Sequence, residues 1–134
     1  MLEHFAERDL VALLSELFSC SRVLFIEQVP TFAGQDQSAA RMCVLYGNYK
    51  FILGAAQMYS LEHPDFTVKE LSLLKWMNQI IPQRERSRDR SERKHQLQRK
   101  AQEFWPEWKW TQALCDAPLI AEAGIRLETA DEES

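Results

Sequence analysis

SAARMCVLYGNYKFILGAAQMYS, residues 38–60, decides how the chain reads. Its apolar side chains fall on two helical stripes. One runs Met42, Leu45, Tyr49, Ile52, Ala56 and Tyr59; the other runs Ala40, Val44, Gly47, Phe51, Gly54 and Met58. Spacings of three and four place each set along one side of an α-helix. Two apolar sides call for neighbours on two sides, so this helix is expected at the centre of the fold. Asp36 or Ser38 stands where an N-cap is needed. A glycine inside a helix costs about 1 kcal/mol relative to alanine. Gly47 and Gly54 lie on one side, seven residues apart, where the missing side chains leave room for another helix to come close.

Toward the N-terminus, residues 3–19 repeat Leu10, Leu13, Leu14 and Leu17 on one helical face, with Glu3, Glu7 and Asp9 near the start, where the helix dipole favours negative charge. SRVLFIEQV, residues 21–29, reads two ways. It continues the helix on Leu24 and Phe25, or it forms a short strand on Val23, Phe25 and Ile26. Helix to about Glu27, ended by Pro30, is the expectation, because no partner strand stands out elsewhere. A loop over residues 29–38 follows.

On the other side, LEHPDF (61–66) breaks the chain at Pro64. TVKELSLLKWMNQIIP (67–82) then opens with Thr67 and Glu70 in capping-box spacing and offers Leu71, Leu74, Met77 and Ile81 as a buried face. FTVKELSLLKWMNQII, residues 66–81, resembles a stretch of the small D subunit of bacterial flagellar master regulators, which are helical transcription activators, only in a generic amphipathic pattern that assigns no family. The resemblance implies a helix there and does not extend into the charged segment after Pro82. Only four glycines and five prolines punctuate the 134 residues. The fold expected is therefore all-α: a small helical bundle of four or five helices, one domain over residues 1–127, with a charged projecting helix and a disordered acidic tail over residues 128–134.

Net charge is −4, but it is unevenly laid out. Residues 83–101 carry eight basic and three acidic side chains, a net of +5, between two acidic stretches. The cations are Arg84, Arg86, Arg88, Arg90, Arg93, Lys94, Arg99 and Lys100, and the acids are Glu85, Asp89 and Glu92. Residues 83–96 have no apolar side chain, so a helix there has nothing to bury. A helix from about Ser87 to Phe104 is expected, anchored by Leu97, Ala101, Phe104 and Trp105 and free at its N-terminal half. Arg88 with Glu92 and Asp89 with Arg93 are opposite charges at helical spacing. Arginine forks onto phosphate oxygens, and cations that neutralise a nucleic-acid backbone release its counterions. The competing reading is a solvated helix laced with local ion pairs.

FWPEWKWTQAL, residues 104–114, gathers Trp105, Trp108 and Trp110 beside that segment. Exposed, they would stack on bases or anchor a protein partner. Buried, they would close one end of a core. Pro106 suits the first position of a further helix. The acidic end, ETADEES, is expected to fold back on the basic segment and compete with a polyanion.

No catalytic signature stands out. His4, His63 and His95 are widely separated, and Cys20, Cys43 and Cys115 match neither zinc nor redox spacing. No Gly-rich phosphate loop is present. Acids stand where a signal peptide needs bases, and no apolar run is long enough to span a bilayer. The expectation is a cytoplasmic, non-enzymatic accessory or regulatory protein without cofactor or metal. It would bind DNA or RNA through the arginine-rich helix, within a larger assembly and with transcription regulation as one form of that role. The rival is a helical adaptor or homo-oligomeric subunit, in which the arginines meet an acidic protein surface and the glycine-lined helix packs on a second copy.

Overall fold

The chain is described by a computed structural model over residues 7–30 and 38–133. The elements run α1 (Glu7–Ser19), β1 (Val23–Glu27), α2 (Ala39–Glu62), β2 (Thr67–Leu71), α3 (Leu73–Ile80), α4 (Arg90–Phe104) and α5 (Gln112–Glu133). The described part is thus mostly helical, as expected, but it also holds a parallel two-stranded sheet, β1 beside β2. The chain divides into two compact units, Met1–Glu70 and Leu71–Ser134.

In the first unit, β1 and β2 pair across the connection made by α2, the usual way to join parallel strands. The Thr67 amide donates to the Arg22 carbonyl at 3.0 Å where the pairing begins. Two expectations fail here for one reason. Residues 23–27 are strand and not a helical extension, and residues 67–71 are strand and not the first turns of a helix. Val23, Phe25 and Ile26 needed a partner, and Thr67 and Val68 supply β-branched residues for it. The capping-box spacing of Thr67 and Glu70 hid that strand. The helix cap used is Ser72, whose hydroxyl accepts the Lys75 amide at 3.2 Å.

Ser38 is the cap of α2, accepting the Arg41 amide at 3.1 Å. The alternative cap, Asp36, and the expected start of α1 at residue 3 lie outside the described residues. α1 buries Leu14 and Phe18, with Leu10 packed alongside, against Ala56 and Phe66. Phe66 meets Phe18 at 5.3 Å between ring centroids and Tyr59 edge-on at 5.1 Å. The α1 stripe is therefore rotated from the expected one, since Leu13 and Leu17 are exposed. On α2, Met42, Tyr49, Leu53 and Ala56 are buried, whereas the stripe containing Val44, Phe51 and Met58 faces solvent. Tyr49 donates a hydrogen bond to Glu70. Burial, reinforced by that bond, pushes its hydroxyl up to about 12.

The second unit is a three-helix arrangement in which α5 packs on both α3 and α4. Trp76, Met77 and Ile80 of α3, Leu97 and Ala101 of α4, and Cys115, Leu119 and Ala123 of α5 are buried. Leu74, expected inside, is exposed; Trp76 takes the inner position instead. α5 is longer than its sequence suggested. It carries Pro118 in its interior and runs to Glu133, so residues 128–133 continue a helix and do not form a separate unstructured tail. Just before that stretch, Arg126 pairs with Glu122 at 3.1 Å, donates to the Gln79 carbonyl at 3.0 Å, and lies over the Phe104 ring. No helix among the described residues is long and apolar enough to cross a membrane.

Candidate functional site

α4 starts at Arg90, later than the expected Ser87, because Asp89 caps it. The Asp89 carboxylate accepts the Glu92 amide at 3.1 Å, and its own amide donates to the Ser87 hydroxyl at 3.1 Å. A negative cap suits both the unpaired amides of a first turn and the helix dipole. The preceding residues, 83–89, are a turn-rich loop that folds back on the helix. Gln96 donates to the Glu85 carbonyl and accepts the Ser87 amide, each at 2.9 Å. The first half of α4 is thus tied to its own loop, in place of the free projecting helix expected from the sequence.

This arrangement sorts the eight cations into classes. Arg99 is ion-paired with Glu92 at 2.9 Å and Lys100 with Glu103 at 3.7 Å. Arg86 donates to the neutral Asn78 side chain at 3.0 Å. Arg93 donates to the Ser87 and Arg88 carbonyls, at 3.4 and 3.2 Å, and acts as a brace for the loop. Lys94 lies within electrostatic reach of Asp116. Among the described residues no carboxylate pairs with Arg84, Arg88 or Arg90, and all three are exposed. The ion pairs expected at helical spacing do not form. Asp89 is engaged as the cap, and Glu92 reaches forward to Arg99, leaving Arg88 unneutralised.

Arg90, Arg93 and Lys94 also edge a cavity of about 550 Å³ whose apolar lining includes Leu73, Met77 and Leu97. Cys115 and Asp116 line it as well. Burial first, then the neighbouring Asp116 charge, pushes the Cys115 thiol up to about 11. Partial burial raises the Asp116 carboxyl, while the Cys115 thiol and Lys94 act to lower it.

The tryptophans divide as sharply as the cations. The Trp110 indole N–H donates to the Trp105 carbonyl at 2.9 Å, and the two rings lie 5.5 Å apart. Gln98 and Gln102 of α4 donate to the Trp110 and Pro106 carbonyls at 2.9 and 3.1 Å. These bonds hold residues 105–111 as a connection, so Pro106 does not begin a helix. Trp105 and Trp110 are half-buried in it, whereas Trp108 is 64% exposed. Of the three aromatic candidates, Trp108 offers an open ring face.

Sequence reasoning named these residues but could not rank them. The ranking follows from Gln96, Gln98 and Gln102, whose side chains close the loops on either side of α4. Among the described residues, no three histidine, cysteine, aspartate or glutamate side chains are grouped to hold a metal ion. No family model matches the sequence, and no curated protein or solved structure matches it.

Proposed function

We propose that this chain is a non-enzymatic accessory or regulatory protein that binds the phosphate backbone of a nucleic acid through the loop before α4 and the first turns of that helix. The observation carrying the proposal is the exposure of Arg84, Arg88 and Arg90 without a carboxylate partner among the described residues, in a segment of net charge +5. A solvated helix stabilised by its own ion pairs would have used Glu92 and Asp89 on the nearest arginines. Here those acids serve a cap and a distant pair, and the arginines remain available. Arginine suits this role because its planar fork engages two phosphate oxygens and its weak hydration lowers the cost of contact. Lys94, Arg86 and Arg93 would reinforce the field without first losing an ion pair. Arg99 and Lys100 would have to give one up. Trp108 would add base stacking on single strands, where one stacked base contributes about 1–3 kcal/mol.

The contacts proposed are to phosphate, which duplex DNA and single-stranded RNA share. Binding is measured against salt on both. Three phosphates neutralised give a log–log slope of about −2.7 on duplex DNA and about −2.1 on a single strand. A slope near zero, or no binding at low salt, removes the proposal and leaves an acidic protein surface as the partner of the arginines.

A further inference from the structure

The second apolar stripe of α2 is regular and, among the described residues, uncovered. Val44, Gly47, Phe51, Gly54, Met58 and Leu61 recur at alternating spacings of three and four, the seam of a helix that lies along another helix. Val44 is 66% exposed, Met58 73% and Leu61 84%. A side chain begun at Gly47 or Gly54 would meet no atom of the described residues within 4 Å beyond its own stretch of helix. Val11 and Phe18 of α1 flank the same stripe and, with Phe51, Gly54 and Met58, line a groove of about 560 Å³. Single exposed apolar residues are ordinary on protein surfaces; a continuous row of them marks a contact surface.

We infer that this seam is the interface of a homodimer in which α2 packs antiparallel on α2 of a second copy. The order of large and absent side chains selects both the partner and the direction. In a parallel pair every residue meets itself. Gly47 and Gly54 layers would then be voids, while Phe51 and Met58 layers would hold the helices apart. In the antiparallel register that sets Phe51 over Gly54 of the second copy, Met58 falls over Gly47, and Val44 meets Leu61. Each central layer then joins one large side chain to a glycine, so the two backbones come close without voids. A surface that complements itself under a two-fold axis is the requirement of an isologous dimer.

Charge supports the same register. It brings Arg41 of one copy to the same end and flank as Glu62 of the other, twice by symmetry. Both side chains are exposed, and among the described residues neither has an ion-pair partner. On the opposite flank, Lys50 falls beside Gln57 of the second copy, so no like charges meet. This dimer uses no cation of α4 and stands independently of the proposal about nucleic acid.

Sedimentation equilibrium on the full chain across the micromolar range is expected to show a particle of twice the monomer mass. Gly54→Leu finds open space within the monomer, so the melt of the dilute, dissociated protein should not fall, but it overfills the paired seam and should weaken dimerisation about tenfold or more. Arg41→Glu should weaken it severalfold, and the exchange Arg41→Glu with Glu62→Arg should return it to the wild-type level. A monomer at every concentration overturns the inference. So does a dimer that tolerates Gly54→Leu, and failure of the charge exchange to restore association overturns the antiparallel register.

Discussion

Replacing Glu92 by glutamine should destabilise the protein and yet tighten its grip on nucleic acid. Glu92 lies in the first turn of α4 and holds Arg99 at 2.9 Å across two helical turns, with both side chains half-exposed or more. Losing an exposed pair costs about 0.2–1 kcal/mol, and losing a negative charge at a helix start costs about 0.3–1 kcal/mol, so a total near 1 kcal/mol is expected. The Asp89 cap is untouched, because it accepts the Glu92 backbone amide and not its side chain. Meanwhile Arg99 joins Arg84, Arg88 and Arg90 as an unpaired cation. Three such contacts give a salt slope of about −2.7 on duplex DNA, and four give about −3.6. Lowering salt from about 200 to about 50 mM should therefore tighten the wild type roughly 40-fold and the variant roughly 150-fold. Fluorescence anisotropy with a labelled duplex, beside a urea melt of each protein, measures both effects. A variant that is destabilised and binds no better would show that Arg99 lies off the binding surface or that phosphate contact does not drive binding.

Other consequences follow from the local geometry. Ser72→Ala should cost about 1 kcal/mol by removing the α3 cap, whereas a Thr67→Ala change should leave that helix start intact; circular dichroism melts compare the two. The Cys115 thiol is raised from 9.0 to about 11 and the Tyr49 hydroxyl from 10.0 to about 12, so in each case the unfolded chain releases its proton first. Their contribution to stability is complete below about pH 9 and is lost as pH rises toward about 12, which urea melts from neutral to alkaline pH would show. At pH near 8 a thiol reagent should label the exposed Cys20 and Cys43 and spare the buried Cys115 until the protein unfolds. Trp108→Ala should weaken binding to a single strand by about 1–3 kcal/mol without lowering the melting temperature, while Trp110→Ala should destabilise the connection it closes.

Part of this was legible from residue order alone. The long helix over residues 38–60, its Ser38 cap and its second apolar stripe could be read from spacing, because helical periodicity is strong over that many residues. The Leu97 and Ala101 anchor of α4 was legible for the same reason. The two strands were not. Each is five residues long, and each becomes stable only when the other lies beside it, a pairing of residues some forty positions apart. TVKEL also mimics an amphipathic helix start, so a local reading prefers the wrong element. The end of α5 misled in the opposite direction. A run of acids at a helix C-terminus opposes the dipole and reads as unstructured, yet contacts made by Arg126 hold that helix from outside the run. In the basic segment, residue types pointed to phosphate, but only the fold shows which guanidinium groups remain unpaired, since Glu92 reaches seven residues forward and Asp89 turns to the backbone.

The most direct measurement compares two charge-neutralised proteins on one labelled duplex at low salt. Arg84→Gln with Arg88→Gln and Arg90→Gln should weaken binding at least tenfold and flatten the salt slope by about 2.7, because these cations form no ion pair among the described residues. Arg99→Gln with Lys100→Gln should change affinity far less, since those two are already paired. Equal losses in both proteins, or a triple variant that binds as the wild type does, would contradict the account.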